Sequence, residues 1–261
     1  MSDGDARGTA GHGDARAKQD TRTVLGRALA ILESFGNGRP EQTLAMITHA
    51  TGLPPATVHR MLAELVAWGV VERVGRGRYR IGLRLWRLGS LAPRGRDLRD
   101  AALPFLEDLF EATHQIVHLV VRDGREALYV EKLMARPSVE VVSRVGGRLP
   151  LHSTGPGKVL LAYAPPALFD EVVAAGLPKL ASNTITDPDR LRQALADIRR
   201  TEFCISRDEM TEGASSVAAP VIGPDRRVVA SISVVVPSRT RNLHRLVPAV
   251  RRAALGISRA L

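Results

Sequence analysis

Cysteine is nearly absent from this chain: Cys204 is the only one among 261 residues, so no internal disulfide can form. No cation or helix start stands beside it in the sequence, and it reads as a small buried hydrophobe near a pocket rather than a reactive thiol. A recognisable metal framework is missing too. His114, His118 and His152 do not fall into the paired spacing of a zinc site, so neither a metal nor another cofactor is expected. No run of about 18 apolar residues occurs, which argues against a membrane span. The N-terminus has no hydrophobic signal core either, leaving the cytoplasm as the default location. Acidic charge is the scarcer sign, with 27 Asp and Glu against 37 Lys and Arg, a formal net charge of +10. Such a balance favours polyanionic partners, whether DNA, RNA or an anionic membrane.

What is present divides the chain. At 261 residues with 44% hydrophobic content it suits two domains of ordinary size, each with a packed core. Residues 1–20 are rich in Gly, Asp, Ala and charge without apolar periodicity, and read as a disordered tail. The most informative stretch follows. Thr43 can cap a short helix carrying Leu44, Ile47 and Ala50; Thr51-Gly52-Leu53 then supplies a turn, and Pro54-Pro55 opens the next helix. There Val58, Leu62, Leu65 and Val66 recur at three- and four-residue spacing and form an inward stripe, while Thr57, His59, Arg60 and Ala63 point elsewhere. Small or hydrogen-bonding residues on the outward face suit a helix lying in a major groove.

Beyond Trp68-Gly69 the period changes to two. Val70–Val74, a Gly75-Arg76-Gly77 turn and Arg78–Ile81 read as a β-hairpin. From Arg73 to Arg87 there are six arginines and no acid, a density suited to phosphates.

These residues carry a resemblance. Arg27–Leu32, Gly52-Leu53-Pro54, Thr57–Leu62 and Tyr79–Gly82 are similar to the winged helix-turn-helix of the IclR family of bacterial transcriptional regulators. Downstream, Arg144–His152, Gly155–Ala162 and Ala218–Val221 resemble that family's effector-binding domain, so the resemblance spans roughly Thr23 to the C-terminus. It implies an α+β chain: a winged helix-turn-helix DNA-binding domain over 21–92, a linker helix over 93–104, and a GAF-like α/β effector-binding and oligomerisation domain over 105–261.

Within that second domain the pattern alternates strand and helix. Gln115–Arg122, the Asp123-Gly124 turn and Ala127–Met134 form an expected hairpin, with Val139–Val145 a third strand. Gly157–Ala164, Pro166–Ala175 and Pro188–Thr201 read as helices. Phe203–Arg207, Ser215–Ile222 and Arg227–Val236 read as strands, and His244–Leu261 as a closing helix.

The Gly155-Pro156-Gly157-Lys158 turn is where ligand binding is expected to begin, since a glycine-rich turn entering a helix offers backbone N–H groups and a positive helix end to a carboxylate. It is not a P-loop: His152 stands where the first glycine belongs and Val159 follows Lys158. The resemblance implies a pocket for a small organic acid made of Gly155, Pro156, Ser206, Ser216 and Ser233. Ser231, Ser233 and Val235 alternate onto one strand face, which would turn two hydroxyls to the ligand; without the resemblance these serines read first as satisfied core polarity. The family's signature is recognisable around Ser206 and Glu209, with Glu202 in place of its small first residue and Ile222-Gly223 at its end. Pro156 and Val235 make a small 2-oxo acid less favoured and an aromatic or longer organic acid a competitor. Glu209 reads as a ligand or cation contact or as a salt-bridged residue, and Arg144 as an acid's partner or a surface strand residue.

A hydrolase built on His152 and Ser153 is set aside, because neighbours on one strand point to opposite faces and no Gly-x-Ser-x-Gly elbow surrounds either. No catalytic residue is expected. The resemblance therefore implies a cytoplasmic, ligand-responsive transcriptional regulator, most simply a repressor of a catabolic or metabolic operon. It would bind palindromic double-stranded operator DNA as a homodimer or dimer of dimers. Thr57, His59 and Arg60 would read bases or adjacent phosphates, and Arg76 and Arg78 would grip backbone or minor groove. The competing reading is an architectural DNA-binding protein with a vestigial sensor pocket.

Overall fold

The computed structural model describes residues 23–37, 39–91, 93–135 and 139–261, without the side chains of residues 37 and 93–96. The expected tail over 1–20 lies outside the described residues. The chain divides between Leu91 and Ala92 into two compact units.

The first unit is built from helices α1 (Val24–Ser34), α2 (Leu44–Thr51), α3 (Pro55–Ala67) and α4 (Leu83–Gly89), with strands β1 (Glu41–Thr43), β2 (Val71–Val74) and β3 (Arg78–Ile81) in the order β1-β3-β2. The local signals act as their chemistry requires. Thr43 caps α2 by accepting a hydrogen bond from the Met46 N–H, and Gly52 ends that helix at φ 66°, a left-handed conformation cheap only for glycine. Pro55 occupies the first turn of α3, where its missing N–H leaves nothing unsatisfied. Ile31, Ile47, Val58, Met61, Leu62, Val71 and Tyr79 form the core. Ile47, Val58 and Leu62 are fully buried, each stabilising by about 1.5–3 kcal/mol. Strand β1, which pairs Glu41–Thr43 with Arg78–Arg80, is an element the sequence pattern did not reveal, being only three residues long.

The second unit starts with one long helix, α5 (Pro93–Thr113), which runs without a break across both the expected linker and the expected start of the effector domain. It then forms an antiparallel sheet of six strands in the order β6-β5-β4-β9-β8-β7. These are β4 (Ile116–Asp123), β5 (Glu126–Leu133), β6 (Arg148–Pro150), β7 (Cys204–Arg207), β8 (Ala214–Ile222) and β9 (Val228–Pro237). Helices α6 (Gly155–Ala162), α7 (Pro166–Ala174), α8 (Pro188–Thr201) and α9 (Val247–Ala260) complete it.

Strand alternation divides the sheet into two faces. Val117, Leu119, Val217, Ala219, Ile232 and Val234 pack with α5 and α9 in one core. Val120, Ala218 and Cys204 pack with α6, α7 and α8 in another. Every residue of α6 is buried.

Two expectations change. Val139–Val145, rich in β-branched residues, is not a strand; the third strand is the shorter Arg148–Pro150, which pairs with Glu126–Leu128. The cause is a turn in between, where Gly146 sits at φ 75° and the Gly147 N–H returns to the Arg144 carbonyl at 2.9 Å. Helix α6 begins at Gly155 rather than Gly157, because Thr154 caps it by accepting from the Gly157 N–H.

Candidate DNA-binding and effector sites

In the first unit, His59, Arg60 and Ala63 are exposed on α3 while Thr57 lies half-buried at the flank of that face. Arg60 and His59 have no hydrogen-bond or ion-pair partner among the described residues, so their polar atoms are available to a ligand surface. Ala56 shares the same exposed face near the helix start. It carries no polar signal, and only the helical repeat could have pointed to it.

The wing arginines are less alike than their spacing implies. Arg76 projects from the tip of the β2–β3 turn without a partner among the described residues, whereas Arg78 stands 3.5 Å from Glu41. Arg80 is held at 2.8 Å by Glu72, whose other oxygen accepts from the Leu83 N–H. Arg84 stacks on Trp68 at 4.9 Å and donates to its carbonyl. The arginine run thus splits into residues that brace the wing and residues free to meet phosphate, Arg76 above all; an exposed pair such as Arg78–Glu41 is weak enough to yield to a polyanion.

The second unit holds a cleft of about 440 Å³, mouth included. Gly155, Pro156, Ser206, Ser216 and Ser233 all line it. Ser231 does not: its hydroxyl donates to the Ala219 carbonyl at 3.0 Å, so of the two hydroxyls expected on that strand only Ser233 reaches the cleft. Ser206 and Ser216 are direct partners across β7 and β8, and among the described residues neither hydroxyl has a hydrogen-bond partner. The backbone donors at the start of α6 are fewer than the glycine-rich turn implied. Pro156 has no N–H and the Gly157 N–H is taken by Thr154, which leaves the Gly155 N–H.

Space is tight at Gly155. A Cβ there would fall 2.4 Å from the Ser216 Oγ. A bulky replacement at Gly155 therefore disturbs packing as well as ligand access.

Several cleft residues escaped sequence reasoning. His118 is 2% exposed; its Nε2 lies 2.9 Å from the Ser143 Oγ and its Nδ1 3.5 Å from the Ser233 Oγ. Burial, aided by the nearby Lys132 charge, lowers His118 from 6.5 to about 3, so its ring is neutral. Tyr129 meets this ring edge-on at 4.9 Å and 87°, and burial raises its phenol well above the usual range. A histidine inside the apolar run Ile116–Val121 was the signal available.

Glu209 is both salt-bridged and a lining residue. It receives Lys158 Nζ on both carboxylate oxygens, at 2.5 and 2.6 Å, with the two side chains 8% and 3% exposed. Arg144 lies in the turn before β6, not on a strand, and is absent from the lining. His152 and Ser153 likewise lie in a turn rather than on a strand; Ser153 contacts the Pro150 carbonyl and Met210 sulfur, and His152 Nε2 the Pro178 carbonyl. Cys204 is buried on β7, outside the cleft lining, and burial pushes its thiol up. Among the described residues no His, Cys, Asp and Glu cluster suits a metal, and no helix is long and apolar enough to cross a membrane.

Known proteins match both units. Residues 24–75 match the IclR helix-turn-helix domain, and residues 92–259 match the bacterial transcriptional regulator IclR C-terminal domain. The chain is 30% identical to the HTH-type transcriptional regulator KipR of Bacillus subtilis, covering 93% of this chain and 98% of that protein. It is 32% identical to the HTH-type transcriptional regulator XynR of Escherichia coli, over 90% and 95% of the two chains. Among solved structures, an IclR homolog from Microbacterium hydrocarbonoxydans complexed with 4-hydroxybenzoate matches with a TM-score of 0.83 and 35% identity, covering 92% of this chain and 99% of that one. A helix-turn-helix with an exposed, polar second helix, followed by a sensor-like sheet with a polar cleft, is accounted for in the same terms by each of these matches: the chain belongs to the IclR family of bacterial transcriptional regulators, and is a DNA-binding regulator rather than an enzyme.

Proposed function

We propose that this protein is a cytoplasmic repressor that binds a palindromic operator as a dimer or dimer of dimers and is controlled by a small aromatic carboxylic acid. Thr57, His59 and Arg60 read the major groove, and Arg76 and Arg78 hold the backbone or minor groove. The effector carboxylate is received by the Gly155 N–H and the Ser206 and Ser216 hydroxyls at the positive end of α6, with Pro156 and Ser233 completing the pocket.

The observation that carries this reading is the pair of unpartnered hydroxyls facing one helix end inside a cleft. Hydroxyls that open onto a cleft and have no protein partner are free to donate to an acceptor-rich ligand. The aromatic class is supported by the 4-hydroxybenzoate bound in the Microbacterium homolog and by the apolar walls of Val141, Leu149 and Val235. Control of DNA binding requires that the acid bind one arrangement of the protein better than the other.

The test is a fluorescence-anisotropy titration with the protein's own upstream intergenic DNA and a scrambled duplex at two salt concentrations, together with thermal shifts against aromatic acids. Preference of about 10³-fold or more for one duplex, and a stabilising acid, are expected. Equal, steeply salt-dependent binding to both duplexes would leave only non-specific charge. Specific DNA binding with no stabilising acid would favour an architectural protein with a vestigial pocket.

A further inference from the structure

The cleft is chemically asymmetric, and its second polar group has no role in holding a carboxylate. Ser216 stands on β8, His118 on β4, and β9 lies between them. Ser216 is level with Val235 and His118 with Ser233, so two inter-strand steps and a two-residue offset separate their backbones by about 12 Å. A single aromatic ring with a polar group at each end fits such a span when hydrogen-bonded at both. His118 and Ser233 are direct partners across β4 and β9, so both project from the same place on the cleft floor.

This far end is firmly built. His118 is fixed by Ser143 at 2.9 Å and by the edge of Tyr129. Ser143 is itself positioned by Lys132, whose Nζ donates to the Ser143 carbonyl at 2.7 Å, committing the nearest cation to the backbone. Ser233 is the loose member. Its 3.5 Å contact with His118 is at the outer limit of a hydrogen bond, leaving its hydroxyl able to turn to another partner.

The charge balance decides what that partner is. Among the described residues, Glu209 is the charged side chain lining the cleft, and Lys158 pairs with it, so the lining offers no uncommitted cation. A neutral imidazole donates through one nitrogen and accepts through the other, and a serine hydroxyl does both. Such a pair complements a group that also donates and accepts, namely a hydroxyl. A second carboxylate would find the one nearby cation, Lys132, already committed to the Ser143 carbonyl, and would lose its hydration with little return.

We propose that His118, Ser143 and Ser233 form a specificity-determining triad that reads an uncharged ring hydroxyl at the end of the effector opposite its carboxylate. The effector is thereby a monoanionic hydroxy-aromatic acid, and aromatic dicarboxylates are rejected. This rests on the aromatic-acid reading of the cleft given above.

The full-length protein is titrated calorimetrically with benzoate, 4-hydroxybenzoate and benzene-1,4-dicarboxylate, and the series is repeated on Ser233→Ala and His118→Gln. 4-Hydroxybenzoate is expected to bind about tenfold more tightly than benzoate, the gain of one good hydrogen bond. The dicarboxylate is expected not to bind. Ser233→Ala removes one oxygen from a small side chain and is the variant that keeps the test sound if His118→Gln fails to fold. In it the tenfold preference for 4-hydroxybenzoate over benzoate should vanish. Equal affinity for benzoate and 4-hydroxybenzoate, or a preference that survives Ser233→Ala, overturns the triad while leaving an aromatic-acid effector standing. Tight binding of the dicarboxylate overturns it as well. Failure of all three acids to bind removes the aromatic-acid reading and this inference together.

Discussion

The two units handle polar groups in opposite ways. In the winged unit, Ser34 and Gln42 are the buried polar side chains among the described residues, and the functional candidates Arg60 and Arg76 stand out in solvent. The second unit buries His118, Glu131, Lys158, Glu209 and a series of serines. Exposure is cheap and suits a partner as large as DNA, whose phosphates supply the counter-charge. Burial is costly unless each group is satisfied, and what it provides is selectivity toward a small ligand. A surface residue in the first unit should therefore change binding without changing stability, while a cleft residue in the second should change both.

The buried ion pair gives the largest test of that contrast. Lys158→Ala strands the Glu209 carboxylate in the interior and should cost about 3–5 kcal/mol, seen as a lowered urea midpoint. The double replacement Lys158→Met with Glu209→Leu should recover most of it. A cost under about 1 kcal/mol would mean the pair behaves as a surface bridge.

Next comes Gly155. Gly155→Ala puts a methyl against the Ser216 Oγ and should destabilise by about 1–3 kcal/mol, and Ser216→Ala in the same chain should restore stability by removing the offending oxygen. If Gly155→Ala is silent in denaturation, the close approach at α6 is wrong.

Arg60→Ala should cost about 1–3 kcal/mol of operator binding and relax base preference. Its melting temperature should stay that of the parent, since the side chain is exposed. Unchanged affinity and specificity would remove Arg60 from the reading face.

His118 provides a pH test. Its folded value of about 3 lies below the ordinary 6.5, so on acidification the unfolded chain takes up a proton that the folded chain refuses. Its contribution is full above pH 6.5 and is lost between 6.5 and 3, by roughly 1.4 kcal/mol per pH unit at most. Urea denaturation at pH 7 and pH 5 should show a steeper loss for the parent than for His118→Gln. The smallest effect is Arg76→Ala, which should weaken all duplexes alike and reduce the salt slope by about 1.

Much of the first unit was legible because its signals are local. Thr43, Gly52 and Pro55 act within a turn of themselves, and the Val58–Leu62 stripe is a simple repeat. The second unit was legible in its helices and longer strands but not in its cleft. Whether His118 faces Ser233 depends on β4 lying beside β9, residues more than a hundred positions apart, and no spacing encodes that. Val139–Val145 misled for a related reason: β-branched residues favour a strand, yet here they stand as cleft wall, with the Gly146-Gly147 turn ending the segment. The cleft serines became candidates through resemblance, since a buried serine alone is as consistent with Ser231, satisfied by a carbonyl, as with Ser216. Lys158, a lone cation in an otherwise apolar helix, was a sign of a buried partner, although its identity as Glu209 required the fold.

The central claim is that a small acid in the second unit changes what the first unit does to DNA. The most direct measurement is operator anisotropy, titrated with and without a saturating concentration of the aromatic acid that raises the melting temperature most. A change in operator Kd of about 5-fold or more, with non-specific duplex binding unaltered, is the expected result. An operator Kd that does not move while the acid is demonstrably bound would contradict the account.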